Sequence, residues 1–141
     1  MKIILKLSSL SIIIIVLLSG CNLFTDPVSP ADRLSLFETD LNSDSRDTIY
    51  ENFHSSAAMY NQIKTSTWWN NQFSTDNKPF SFNVSMSAAV GGIITGTGTL
   101  TYNSLDFDIT MTFKEEDEDV WYIFTLTLVN PLDVNDPLII N

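Results

Sequence analysis

The sequence predicts an α+β domain in which N-terminal helices precede an antiparallel, four-stranded β-meander. Three observations predict it. Apolar residues recur at helical spacing up to about residue 75, as in Leu34, Phe37 and Leu41. From Phe80 onward the period changes to two. The alternating runs are separated by turn pairs, Gly91-Gly92 and Asn103-Ser104. Helices followed by a run of strands is the order of an α+β fold.

The first helix is expected from Pro30. Ser29 suits the N-cap, Pro30 the first turn, and Asp32 the positive end of the helix dipole. Asn42-Ser43-Asp44-Ser45 stops it and offers a cap for the next helix. That second, shorter helix is read over Asp47 to His54, with Ile49 and Phe53 on one face and Tyr50 beside them. Ser55 to Ile63 shows no clear period. Thr65 or Ser66 caps a third short helix bearing Trp68, Trp69 and Phe73.

After Asn77-Lys78-Pro79, the residues Phe80, Phe82, Val84, Met86 and Ala88 alternate with polar ones, as in a strand with one face buried. The next strand, Ile93 to Tyr102, carries Thr95, Thr97, Thr99 and Thr101 on one face and Gly96 and Gly98 on the other. Glycines inside a strand point to a bend, a bulge or close packing. Phe107, Ile109, Met111 and Phe113 alternate with Asp106, Asp108, Thr110 and Thr112 in the third strand. Glu115 to Asp119 reads as an acidic hairpin tip. Val120 to Val129 is apolar on much of both faces, as in a central strand or one covered by helix and tail. The tail, residues 131–141, is punctuated by prolines, and Leu138-Ile139-Ile140 is expected to dock.

The start of the chain states an address. Lys2 and Lys6 precede an apolar run that is unbroken from Ile12 to Leu18. The run is too short for a spanning helix, which needs about 20 apolar residues. It fits a secretory signal peptide over residues 1–20. Leu18-Ser19-Gly20-Cys21 resembles the lipobox of bacterial lipoproteins. The resemblance implies cleavage before Cys21, a diacylglyceryl thioether on its thiol, and palmitate-type acylation of the new amine. A thiolate is the nucleophile such chemistry needs, and two or three acyl chains anchor stably where one binds only marginally. Cys21 is the single cysteine, so no intramolecular disulfide forms. Asn22, where an aspartate would favour inner-membrane retention in enterobacteria, leans toward the outer membrane. Residues 21–30, with Pro27 and Pro30, form a short tether.

Of seven lysines and arginines two lie in the leader, which leaves five against seventeen acids, a formal charge of −12 for the mature chain. Such a surface repels phosphate backbones, so no nucleic acid is expected as partner.

The order of elements over residues 31–130 resembles the NTF2-like (cystatin-like) superfamily, and within it small lipoproteins of the kind abundant in spirochaetes. The residues that carry the resemblance are RLSLFETDLNSDSRDTIYENFH, the Trp68-Trp69 segment and Val120-Trp121-Tyr122-Ile123. It implies N-terminal helices packed into the concave face of a curved antiparallel sheet, forming a cone.

Candidate chemistry is sparse. His54 is the single histidine, so a histidine-cluster metal site is excluded, and it reads as a helix-end or surface residue. Enzymes of the resembled superfamily place a tyrosine and acids inside the cone, but Asp106 and Asp108 share their strand's polar face. Solvated aspartates make poor bases. Neither catalytic residues nor a cofactor are expected. The acidic run 115–119 offers oxygen ligands of the type calcium prefers, without the spacing of a calcium loop, and no metal site is expected. Trp68 and Trp69 are adjacent and cannot share a helix face. One enters the core and the other lines the cone mouth or lies exposed; if the domain binds a ligand, Trp68, Tyr60, Tyr102 and Tyr122 are expected to bound an internal pocket. The expected partners are the membrane, through acyl chains on Cys21, and an envelope protein or a small apolar ligand; the alternative is a structural lipoprotein with a filled cone, dimerising through its sheet.

Overall fold

Ser29 starts the first helix. Its side chain accepts from the Asp32 N–H at 3.1 Å, while the Asp32 carboxylate reaches back to the Ser29 N–H at 3.3 Å. This reciprocal box fixes α1 over Pro30–Asn42. We describe residues 26–130 and 133–141 from a computed structural model. The leader 1–20, the lipobox with Cys21, Asn22 and the first half of the tether lie outside the described residues.

α1 buries Leu34, Phe37 and Leu41 on one face. The expected second helix contracts to a single 3-10 turn, Ile49–Asn52. Phe53 leaves it in extended form to bridge Ile123 of the sheet, which stops any further helix. A run of turns leads to α2, Ser66–Gln72, whose N-cap Thr65 accepts from the Trp68 N–H. A 3-10 turn at Thr75–Asn77 delivers the chain to the sheet.

The sheet has five strands, β1 (Ser81–Met86), β2 (Ile93–Tyr102), β3 (Leu105–Asp117), β4 (Val120–Asn130) and β5 (Asp133–Ile140), in that spatial order. All neighbours are antiparallel. The expected four-stranded meander is thus corrected to five: the tail is itself a strand. Its prolines hid it in the sequence, but an edge strand tolerates proline. Ile140 pairs with Leu126 and is fully buried. The expected acidic tip is also shorter. β3 runs on through Asp117, and the turn proper is Glu118-Asp119, with Asp119 at φ 59°.

One face of the sheet is polar. The other meets the helices through Phe80, Leu100, Phe107, Ile109, Met111, Phe113, Ile123, Leu126 and Leu128. A bulge explains why β4 looked apolar on both faces. Thr112 pairs with Thr125 but Phe113 pairs with Ile123, so Phe124 is the extra residue and the inward parity of β4 switches there. Gly96 and Gly98 serve close packing: a Cβ on Gly98 would lie 1.9 Å from the Asn83 carbonyl oxygen. A Cβ on Gly96 would lie 2.8 Å from Val84 Cγ1.

Arg46 is fully buried and welds the helices together. Its guanidinium donates to the Leu41 carbonyl at 2.7 and 3.1 Å, to Asn70 Oδ1 at 3.1 Å and to the Phe73 carbonyl. Leu41 lies in the last turn of α1, where free carbonyls favour a cation. Burial lowers the arginine pKa. Among the described residues no helix is long and apolar enough to cross a membrane.

Candidate functional site

The start of β4 gathers polar and aromatic side chains from several elements. β5 pairs with β4 from Leu126 onward, so the outer edge from Val120 to Ile123 needs other partners. Val28 supplies one, accepting from the Trp121 N–H and donating to the Asp119 carbonyl, each at 3.0 Å. His54 N–H donates to the Ile123 carbonyl at 2.8 Å. Arg33 Nε donates to the Trp121 carbonyl at 2.9 Å.

The Arg33 guanidinium then lies 4.2 Å from the centre of the Tyr122 ring. Burial lowers the Arg33 pKa, and Tyr122 partly opposes that shift. His54 packs edge-on against Tyr122 and Phe124. Its Nδ1 accepts from the Ser56 N–H at 3.1 Å, which leaves the ring proton on Nε2. Lys114 Nζ sits 5.1 Å from the Phe124 ring centre. Lys64 Nζ lies 4.7 Å from the Tyr60 ring and 5.8 Å from that of Tyr50. Burial raises the Tyr60 pKa first, with Tyr50, Glu116, Glu51 and Tyr122 adding to it.

The structure therefore brings Tyr60 and Tyr122 to one rim, but Tyr102 lies elsewhere. Tyr122 pairs with Lys114 and Tyr102 with Leu105, at opposite ends of β3. At about 3.3 Å per residue those ends are roughly 30 Å apart. Tyr102 stacks on Phe107 at 4.3 Å and packs on Phe80, and burial raises its pKa. Trp68 is half-buried, edge-on to Trp69 at 4.8 Å. The expected pocket bounded by Trp68, Tyr60, Tyr102 and Tyr122 is corrected accordingly: one strand length separates its walls.

The described interior is packed with aromatic side chains around Trp69. Trp69 is fully buried and donates its indole N–H to the Ile63 carbonyl at 2.7 Å. Phe37, Phe53 and Phe73 surround it at ring distances of 5.5 to 6.0 Å. Among the described residues, clefts open at the surface. One of about 620 Å³ runs along α1, lined by Ser35, Glu38, Thr39, Asn42 and Ser43. Another of about 370 Å³ lies against Lys78, Pro79, Tyr102 and Asn103.

His54 is buried, not exposed as a helix-end residue would be. Asp106 and Asp108 are exposed on the polar face, and Asp106 accepts from the Thr101 hydroxyl at 2.6 Å. Among the described residues no group of three or more histidines, cysteines or carboxylates is placed to hold a metal. Sequence reasoning missed Arg33, Glu38, Asn42 and Arg46. The signal was available for the first three, since Arg33 flanks one side of the α1 apolar stripe while Glu38 and Asn42, four residues apart, flank the other.

No family model, no curated protein and no solved structure matches the chain.

Proposed function

We propose that the chain is a bacterial lipoprotein of the cell envelope. It is anchored in the outer membrane by acyl chains on Cys21, and its domain works through contact with protein rather than by catalysis. The lipobox-like Leu18-Ser19-Gly20-Cys21 supports the address. The filled interior around Trp69 supports the mode of action, because a carrier of apolar molecules needs a cavity of about 300 Å³ or more lined by apolar side chains. Helices ahead of an antiparallel meander, packed on one of its faces, support an NTF2-like arrangement with a filled cone. The solvated Asp106 and Asp108 and the enclosed His54 argue against acid-base chemistry.

Native mass spectrometry of the mature protein, taken gently from its own envelope, tests the proposal. The expected result is acyl mass on Cys21 and, once the anchor is cleaved, a protein mass without a small-molecule adduct. A reproducible adduct that Trp68→Ala removes would overturn the contact reading in favour of a carrier.

A further inference from the structure

Backbone groups along a strand point alternately to its two sides. In β1 the odd residues face β2, and the Ser87 N–H continues that series to the Thr95 carbonyl at 2.8 Å. The even residues face outward. Two side chains of α1 take up the first of them. Asn42 both donates to and accepts from Phe80, at 2.8 Å each way, and Glu38 accepts from the Phe82 N–H at 3.1 Å. α1 reaches no further. The outward groups of Val84 and Met86 have no hydrogen-bond partner among the described residues.

Edges of this kind are ordinarily guarded by lysine, proline, a bulge or a covering loop. Among the described residues β1 has none of these beyond Phe82, and no charged residue occurs between Lys78 and Asp106. In a chain with seventeen acids that neutrality matters. Two copies repel over most of their surfaces, and the β1–β2 hairpin is where they can approach without that penalty. The strand is also held ready. Gly96 and Gly98 draw it tight against β2, with Val84 and Met86 lying over the bare glycine backbone.

We infer that the β1 edge pairs antiparallel with β1 of a second copy, joining two sheets into one. The inference rests on the contact reading above and names its partner. A two-fold axis through Ser85 sets Val84 opposite Met86 of the other copy, and these residues exchange both backbone bonds. Phe82 then opposes Ala88. Val90, 78% exposed, approaches the other copy's α1 beside the cleft of Ser35, Glu38 and Thr39. Each α1 guards the opposite end of the joint from its counterpart, so the two helices do not collide.

Ser85 is exposed and faces its own copy across the axis, with Cα atoms about 4.5 Å apart, within the range of a disulfide. The test uses the full chain extracted in detergent. Ser85→Cys should form a disulfide dimer under mild oxidation, while Thr97→Cys, equally exposed on the adjacent β2, should not. Ser85→Lys places like charges opposite each other and should shift the equilibrium toward monomer by at least about tenfold, with an unchanged circular dichroism spectrum. Three results would each overturn the inference: Ser85→Cys cross-linking no faster than Thr97→Cys, association indifferent to Ser85→Lys, or a co-purifying extended peptide that Ser85→Lys displaces. Intact mass reads acylation in the same sample. A chain without acyl groups that still cross-links through position 85 would sink the lipoprotein reading and leave this one standing.

Discussion

Two stretches of the sheet's edge, along the start of β4 and along β1, are treated by the chain in opposite ways. Along Val120–Ile123 of β4, Val28, Arg33 and His54 take up the backbone groups, and Phe53 drives its ring into the core beside them. Along β1, α1 seals Phe80 and Phe82 and then stops. The difference is in how far each cover can extend. β4 is sealed chiefly by the main chain of Val28 and His54, which can track the strand, with the Arg33 side chain filling the position between them. β1 is sealed by the side chains of one helix, which offers a group toward the strand only every three or four residues. An edge sealed by main chain is part of the fold, and an edge sealed by two side chains stays open to a partner.

The contrast can be broken from the β4 side first. Phe53→Ala empties a fully buried ring site and loosens the seal at Ile123, and should cost about 3–5 kcal/mol in urea unfolding. On the β1 side, Gly98→Ala forces a methyl into the Asn83 carbonyl. It should cost about 1–3 kcal/mol or more and weaken association as well, because β1 must lift from β2. Sedimentation beside unfolding separates the two effects. Asn42→Ala removes both bonds to Phe80 and should cost about 1–2 kcal/mol while leaving Val84 and Met86 free to pair. If Asn42→Ala instead abolished association, the helix would be part of the joint and the distinction between the edges would fail.

The smallest expected effect separates the two ends of the β3 ladder by pH. Burial raises the pKa of both Tyr60 and Tyr102. The unfolded chain therefore loses these protons first, at about pH 10. Their contribution is complete below that pH and is lost as pH rises through the higher folded values. Urea midpoints should fall from about pH 10 upward, and Tyr60→Phe and Tyr102→Phe should each flatten the slope. Because the two rings lie at opposite ends of β3, their effects should add. Coupling between them would contradict the corrected geometry.

Much of the fold was legible because it is written locally. Ser29 with Asp32, Thr65 before the tryptophans, Gly91-Gly92 and Asn103-Ser104 each specify their own element within a few residues, and each stands where the sequence places it. What was not legible depends on partners far along the chain. β5 is a strand because β4 has an edge to give it, despite Pro137. The helix expected to run to His54 is cut at Asn52 because Phe53 finds Ile123. Phe124 reads as one more apolar residue, although it is the bulge that turns β4 over. The pocket expectation failed for a related reason. Aromatic residue type was visible, but the ladder that sets Tyr102 and Tyr122 a strand length apart was not. Arg46 carries no local signal of burial, because its partners are carbonyls of Leu41 and Phe73, which only the packed helices bring to it.

The most direct test of the two edges is amide hydrogen exchange, read residue by residue by NMR over a range of protein concentrations. The N–H groups of His54 and Trp121 should be protected at every concentration, since the chain itself accepts from them. Those of Val84 and Met86 should exchange freely in dilute protein and become protected as concentration rises. Protection of Val84 and Met86 at the highest dilution, or free exchange at every concentration, would contradict the account.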